Sequence, residues 1–311
     1  FPYTTLFRSV EKSNRLIWLD AVKGVGIISV VLGHVLDCRY VYAFHMPLFF
    51  LVSGYTFHPR KSELQYMRQL LFRLIVPYIV FLSLVNMLTW VLYSTRISII
   101  SFFWGGAHLK GIYGAFWFIT VLFGALLMLN IILRQRCIRL RWCFLGLLVV
   151  SYVLAYFHVD MPWNVQVVPM AVCFMMMGWY YKNKDFSFSK RVSVLLIVSA
   201  VCITLICKDV QLDMKYTKFG IPVLSFVTST LIVYGIVLIT RKYEYMFRPL
   251  VFVGEASIFI MYLHLFVCYV MQHLKVPVNV YIIFFCSILF PTVLYHVVRR
   301  NKILSLVLIG K

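Results

Sequence analysis

Windows of about twenty predominantly apolar residues recur along this 311-residue chain, with only short polar connections between them. An apolar helix needs roughly 20 residues, each adding about 1.5 Å, to cross a hydrocarbon core about 30 Å thick. Ten such windows are read: 16–37, 41–57, 71–93, 114–133, 142–158, 164–181, 192–207, 219–240, 249–273 and 278–298. The expected fold is an all-α, polytopic transmembrane helix bundle of about ten spans. Charged residues make up 13% of the chain, about half the ~25% of a soluble domain, which excludes a water-soluble globular enzyme. No stretch is polar enough to form a second, soluble domain, so residues 10–311 read as one membrane-embedded unit.

The few charges are one-sided, with 30 Lys+Arg, 10 Asp+Glu and a formal net charge of +20. In a soluble protein this balance would suggest a nucleic-acid partner. Here apolar runs separate the basic residues, so topology explains them and no nucleic-acid partner is expected. Assigned to alternate connections, 21 Lys and Arg fall on one side and seven on the other. A three-to-one bias that persists through every loop argues for ten spans with both termini in the cytoplasm, and the expected location is the inner (cytoplasmic) membrane. The segment 60–73 mixes basic and apolar residues at helical spacing. It reads equally well as a helix on the membrane surface or as an extension of the third span.

Phe1–Ser9 (FPYTTLFRS) reads as the translation of a sequencing-library adapter, TTT CCC TAC ACG ACG CTC TTC CGA TCT. These nine residues are expected to be an artefact, with authentic protein from near Val10 and its true start missing. The eight cysteines form no CxxC pair, and the eight histidines form no HExxH. Neither a disulfide framework nor a metal site is signalled, and none is expected. The soluble-acyltransferase pattern HxxxD and the hydrolase elbow GxSxG are also absent.

An ionisable group near the bilayer centre costs roughly 2.5–3.5 kcal/mol on insertion scales, so each marks a candidate site. The first span carries Asp20, Lys23 and His34. Lys23 and His34 are eleven residues apart, close to three turns, so they share a stripe and stand ~16 Å apart along the axis. Asp20, one turn before Lys23, can partly neutralise it. Gly24, Gly26 and Gly33 give the same helix a small face for close neighbours. The bland alternatives are a snorkelling lysine and a histidine bonded in a helix interface.

The second span carries His45 at its outer end, with Ser53 and Tyr55 two to three turns deeper. His34 and His45 lie equally far from the hairpin midpoint, so an antiparallel pair puts the two imidazoles at one depth. The ninth span adds Glu255, Ser257 and His264, read as support or as a satisfied helix-interface trio. Trp117, at the outer end of the fourth span, reads more readily as an aromatic-belt anchor than as a substrate platform.

The stretches LIWLDAVKGVGIISVVLGHV, FHMPLFFLVSGYTF, GAFWFITVLF and ASIFIMYLHLF resemble the acyltransferase-3 family of integral membrane acyltransferases. Within it they are most similar to the branch related to fucose 4-O-acetylases. The similarity runs from about residue 13 to residue 300. It implies a ten-helix bundle moving an acyl group, usually acetyl from acetyl-CoA, onto a hydroxyl, usually of a bacterial glycan. No tightly bound cofactor is implied, because acetyl-CoA serves as co-substrate. The family pattern of a basic residue, ten residues and a histidine maps onto Lys23 and His34. Lys stands where many relatives have Arg, and it offers a point charge rather than a bidentate fork. Many relatives also carry a soluble hydrolase-like domain after the membrane part. With the chain as given ending at Lys311, a relay to such a domain is expected to use a separate partner or not to occur.

The resulting expectation is an O-acyltransferase in which His34 is a general base or briefly takes the acyl group. Lys23 would bind CoA, and His45, Ser53 and Tyr55 would supply hydrogen bonds to the oxyanion or sugar. Asp20, Trp117, Glu255 and His264 complete the candidates, as substrate contacts or support. The partners are an acyl-CoA donor, a carbohydrate acceptor and the lipid bilayer. The competing class is a transporter or flippase, which also uses intramembrane charges. Against it, no paired half-repeats are visible, and the polar residues concentrate in one hairpin.

Overall fold

Every apolar window contains helix, although the windows and the helices do not coincide. The computed structural model describes residues 16–94, 97–135, 139–183, 190–273 and 278–310. Residues 1–9, with their adapter-like sequence, lie outside this set. The α-helices of six residues or more are α1 Ile17–Val35, α2 His45–Thr56, α3 Glu63–Tyr93, α4 Ile99–Trp104, α5 Trp117–Arg134, α6 Leu140–Tyr156 and α7 Val168–Asn183. They continue with α8 Lys190–Ile206, α9 Leu224–Lys242, α10 Leu250–Glu255, α11 Ser257–Gln272, α12 Val280–Val298 and α13 Lys302–Leu308. Among the described residues no strand forms, apart from one isolated bridge between Asp213 and Lys218.

Five helical stretches among the described residues are both long and apolar enough to cross a membrane: α1, α3, Gly111–Arg134, α9 and α12. The chain is thus an all-helical, multi-pass membrane protein. The ten expected windows exceed this number for physical reasons. The window 41–57 opens in a 3-10 turn over Arg39–Ala43, which leaves α2 only 12 residues long. The window 164–181 likewise begins in the irregular turn Pro162–Val167, where Trp163 and Asn164 take positive φ. The window 249–273 is not one helix, because the backbone leaves helical geometry at Ala256 (φ −87°, ψ 4°) and separates α10 from α11. Segment 60–73 proves to be an extension of the third span. Glu63–Leu70 runs through a π turn at Leu71–Ile75 into Val76–Tyr93, and Arg134 Nη1 holds Glu63 Oε1 at 2.7 Å.

Helix α1 is central, packing against α2, α9, α10, α11 and α12. The expected small face is used: Gly24 meets the Leu250 carbonyl, Gly26 meets Leu48 and Phe49, and Gly33 meets Val41. At the crossing with α10 a side chain on Gly254 would strike the Asp20 carbonyl. The crossing of α2 with α7 is equally close, since a Cβ on Gly54 would meet the Met175 backbone and one on Gly178 the Leu51 carbonyl. Small residues let backbones approach where lipid offers no hydrophobic drive for association. The two crossings fix how far α1 and α2 can move, and these are the helices that carry most of the candidate site residues.

Candidate active site

Two cavities lie end to end along α1, one around its Lys23 end and one around its His34 end. The first, about 510 Å³, is lined by Asp20 and Lys23 of α1, Ser53 of α2, Arg60, Arg73 of α3, and Glu255 and Ser257 beside the α10–α11 break. Lys23 Nζ donates to Asp20 Oδ1 at 3.2 Å, the i,i+3 pairing expected from sequence. Ser53 Oγ donates to the Phe49 carbonyl within its own helix. Glu255 Oε2 receives Arg299 Nη1 at 2.5 Å, tying this cavity to the end of α12. The lining is rich in cations: Lys23, Arg60 and Arg73, with His58 beside them.

The second cavity, about 430 Å³, brings together His34 and Tyr42, His45, Trp117, and the loop residues Asp213, Lys215 and Tyr216. His34 is exposed, and its ring forms part of this lining. Tyr42 stands edge-on to both histidines, with centroids 6.2 Å from His34 and 5.0 Å from His45. His45 is buried, and its Nδ1–H donates to the Val41 carbonyl at 2.6 Å. That bond fixes the proton on Nδ1 and makes Nε2 the bare nitrogen.

Behind His34 lies His264 of α11, fully buried, with ring centroids 5.4 Å apart. Its Nδ1–H donates to the Ile260 carbonyl at 2.7 Å, and Nε2 has no hydrogen-bond partner among the described residues. A buried acceptor left unpaired costs free energy.

Two sequence expectations are corrected here. Ser53 and Tyr55 do not join His45. Ser53 lies eight residues further on, ~12 Å along the helix, and belongs to the Lys23 cavity. Tyr55 packs edge-on against Trp18 at 5.2 Å and against Tyr181 at 6.0 Å, and lines neither cavity. Trp117 is not a belt residue facing lipid, because it is only 5% exposed and forms part of the His34 cavity wall. A span apolar on every side gives no periodic signal for the inward face, so sequence alone could not decide this.

The match to known families settles the class. A family model described as an acyltransferase domain, that of acyltransferase-3, matches residues 16–298. The chain belongs to the acyltransferase-3 family. As a member it is an enzyme that transfers acyl groups other than amino-acyl groups, and both cavities lie within the matched region. Membership favours group transfer over the transporter reading. No curated protein and no solved structure matches the chain.

The acyltransferase-3 domain also holds residues that the sequence did not single out. Arg60 and Arg73 entered only as topology charges, yet they line the Lys23 cavity. Lys215, on the loop before α9, extends its Nζ across 106 positions to donate to the Leu109 carbonyl at 2.7 Å. Burial, aided by Lys110 and opposed by Asp213, lowers the Lys215 pKa to about 8. Burial also raises the Asp213 carboxyl above its usual range, against the pull of Lys215 and Lys218.

Asn164, fully buried at φ +57°, joins three loops. Its Oδ1 accepts from the Ala107 N–H at 2.8 Å and its Nδ2 donates to the Lys215 carbonyl at 2.9 Å. Partners 57 and 51 positions away leave no local trace in the sequence.

Proposed function

We propose that the protein is a membrane O-acyltransferase that moves an acyl group, acetyl in the simplest case, from acyl-CoA to a hydroxyl of a cell-surface or exported carbohydrate. The observation that carries this reading is the pairing of cavities within the acyltransferase domain. A cationic chamber suited to CoA phosphates backs onto a chamber with an exposed imidazole, aromatic walls and hydrogen-bonding groups suited to a sugar. The reading follows the resemblance to the fucose 4-O-acetylase-related branch. Its topology is ten crossings with both termini in the cytoplasm of a cell whose inner membrane holds the chain. The Lys23 cavity then faces the cytoplasm, where acyl-CoA is made.

In the proposed reaction Lys23, Arg60 and Arg73 attract the donor phosphates, and Asp20 and Glu255 hold cationic neighbours in place. The pantetheine arm runs along α1, and the ~16 Å between Lys23 and His34 brings the thioester carbonyl near His34. His34 takes the proton of the acceptor hydroxyl as its oxygen attacks that carbonyl. The new C–O bond forms, the C–S bond breaks, and the leaving thiolate receives the proton to give the CoA thiol and the acyl ester. His264 Nε2 is placed to accept the other His34 N–H and hold the ring with its lone pair toward the hydroxyl. His45 and Tyr42 are the nearest donors and acceptors for the developing oxyanion or the sugar, and Trp117 offers a face for the sugar ring.

The test is release of CoA thiol and acylation of a monosaccharide panel by the purified, reconstituted protein given acetyl-CoA. A positioned general base contributes about 10²–10⁴-fold, and His34→Ala should cost that much while the protein stays inserted and monodisperse. Near-wild-type transfer by that variant refutes the assignment of His34. Absence of thioester cleavage by the wild type with every acyl-CoA tried refutes the reaction.

A further inference from the structure

The two cavities are separate, and a single side chain, Met261, lines both. The helices around the wall change sides within one turn. Met46 of α2 faces the His34 cavity and Phe49 the Lys23 cavity, as do Trp117 and Phe118 of α5 respectively. Met261 is buried at 3% exposure, between Ile258 on one side of the wall and Leu265 on the other along α11.

We propose that Met261 is the gate through which the acyl group reaches His34, and that the space it can vacate restricts the donor to short acyl chains. This inference rests on the donor route given above. The aromatic part of the wall is stiff. Phe49 and Phe118 meet edge to face at 5.8 Å, and Phe118 meets Trp117 at 6.4 Å, so each ring blocks the rotation of the next. The backbone of α11 is held as well, because the neighbouring Tyr262 is buried and stacked on Phe81 at 4.6 Å. Met46 and Met261 are the adaptable members, unbranched, with three rotatable bonds and a polarizable thioether, and of the two Met261 alone lines both cavities. Interiors are close-packed, so a side chain swung aside frees little more than its own volume, about four non-hydrogen atoms. An acetyl group, with its methyl, carbonyl carbon and oxygen, fits that space, whereas a six-carbon chain has to displace the aromatic rings.

The test uses the full chain in nanodiscs and three probes: CoA, acetonyl-CoA (a thioether ketone that mimics acetyl-CoA but cannot transfer), and its homologue with a six-carbon acyl chain. Competition binding gives the affinity of each. The wild type should bind the six-carbon homologue at least tenfold more weakly than acetonyl-CoA. Met261→Ala should shrink that ratio about tenfold, with Met261→Val between. Met261→Trp should weaken both acyl analogues relative to CoA. If Met261→Ala fails to fold, the Val and Trp variants carry the test. A six-carbon to two-carbon ratio unchanged in these variants overturns the gate while leaving the donor site standing. Failure of the wild type to bind CoA at all overturns the donor route, and the gate with it.

Discussion

Asn164 offers a test of how the outer cavity is held together. Asn164→Ala removes two hydrogen bonds to backbone groups of other loops, to Ala107 N–H and from the amide to the Lys215 carbonyl. Each is worth ~1 kcal/mol net, and more where the orphaned partner stays buried. Alanine at φ +57° also pays the left-handed penalty of roughly 1–2 kcal/mol that asparagine partly escapes. Together the loss is about 3–4 kcal/mol, which at about 1.4 kcal/mol per tenfold raises local opening by two to three orders of magnitude. Asn164→Gly keeps the backbone conformation and loses only the bonds, so its effect should be ~2 kcal/mol. Hydrogen exchange of the reconstituted protein, read on segments 105–116 and 209–219, measures this directly. Both segments should lose protection together in the Ala variant, and less in Gly. Loss of protection in one segment without the other, or Gly equal to Ala, would refute the account of Asn164 as a joint between loops.

Further expectations follow from the same geometry. Because burial holds the Lys215 pKa at about 8 against ~10.4 for an unperturbed lysine, the unfolded chain binds more protons between those values. Stability should therefore rise with pH across that window, seen as a higher apparent Tm at pH 9.5 than at pH 8, and Lys215→Met should flatten the trend. Lys23→Ala should weaken CoA binding about tenfold, in line with 1.5–3 kcal/mol for a charged hydrogen bond reduced for its partial exposure and Asp20 partner. Unchanged CoA affinity removes Lys23 from the donor site. Gly178→Ala should reach or exceed the about 1–3 kcal/mol of an overpacked core, because the new methyl meets the Leu51 carbonyl and neighbouring backbone rather than a flexible side chain. A wild-type Tm in that variant would show that α2 and α7 have room to part.

The presence of helix in each apolar window and the sharing of one cavity by His34 and His45 were legible in the sequence, because both depend on local pattern and on hairpin symmetry. The small face of α1 was legible for the same reason, since Gly24, Gly26 and Gly33 lie within one helix. The lengths of the individual helices were not. A window of apolar residues does not say where Phe44 ends a 3-10 turn or where Ala256 breaks a helix. Ser53 and Tyr55 were placed with His45 because they share its span, but axial distance carries Ser53 past the wall and rotation turns Tyr55 toward Trp18. The contributions of Asn164 and Lys215 depend on pairings between loops far apart in the chain, where no periodicity connects the partners.

Helix α2 has 12 residues, and at 1.5 Å each it is about 18 Å long, well short of the roughly 30 Å hydrocarbon slab. The cavity at its His45 end is also lined by Tyr42 of the Arg39–Ala43 turn and by the segments carrying Gly111–Ile112 and Asp213–Tyr216. A hydroxyl group therefore has to be lowered between these segments to reach the imidazoles, instead of being met at the membrane surface. For the carbohydrate acceptor proposed above, a narrow chain end or a single exposed sugar is expected to make that descent, whereas a bulky branched glycan is expected to stop at the rim. Entry thus sorts acceptors by girth before any bond is made or broken.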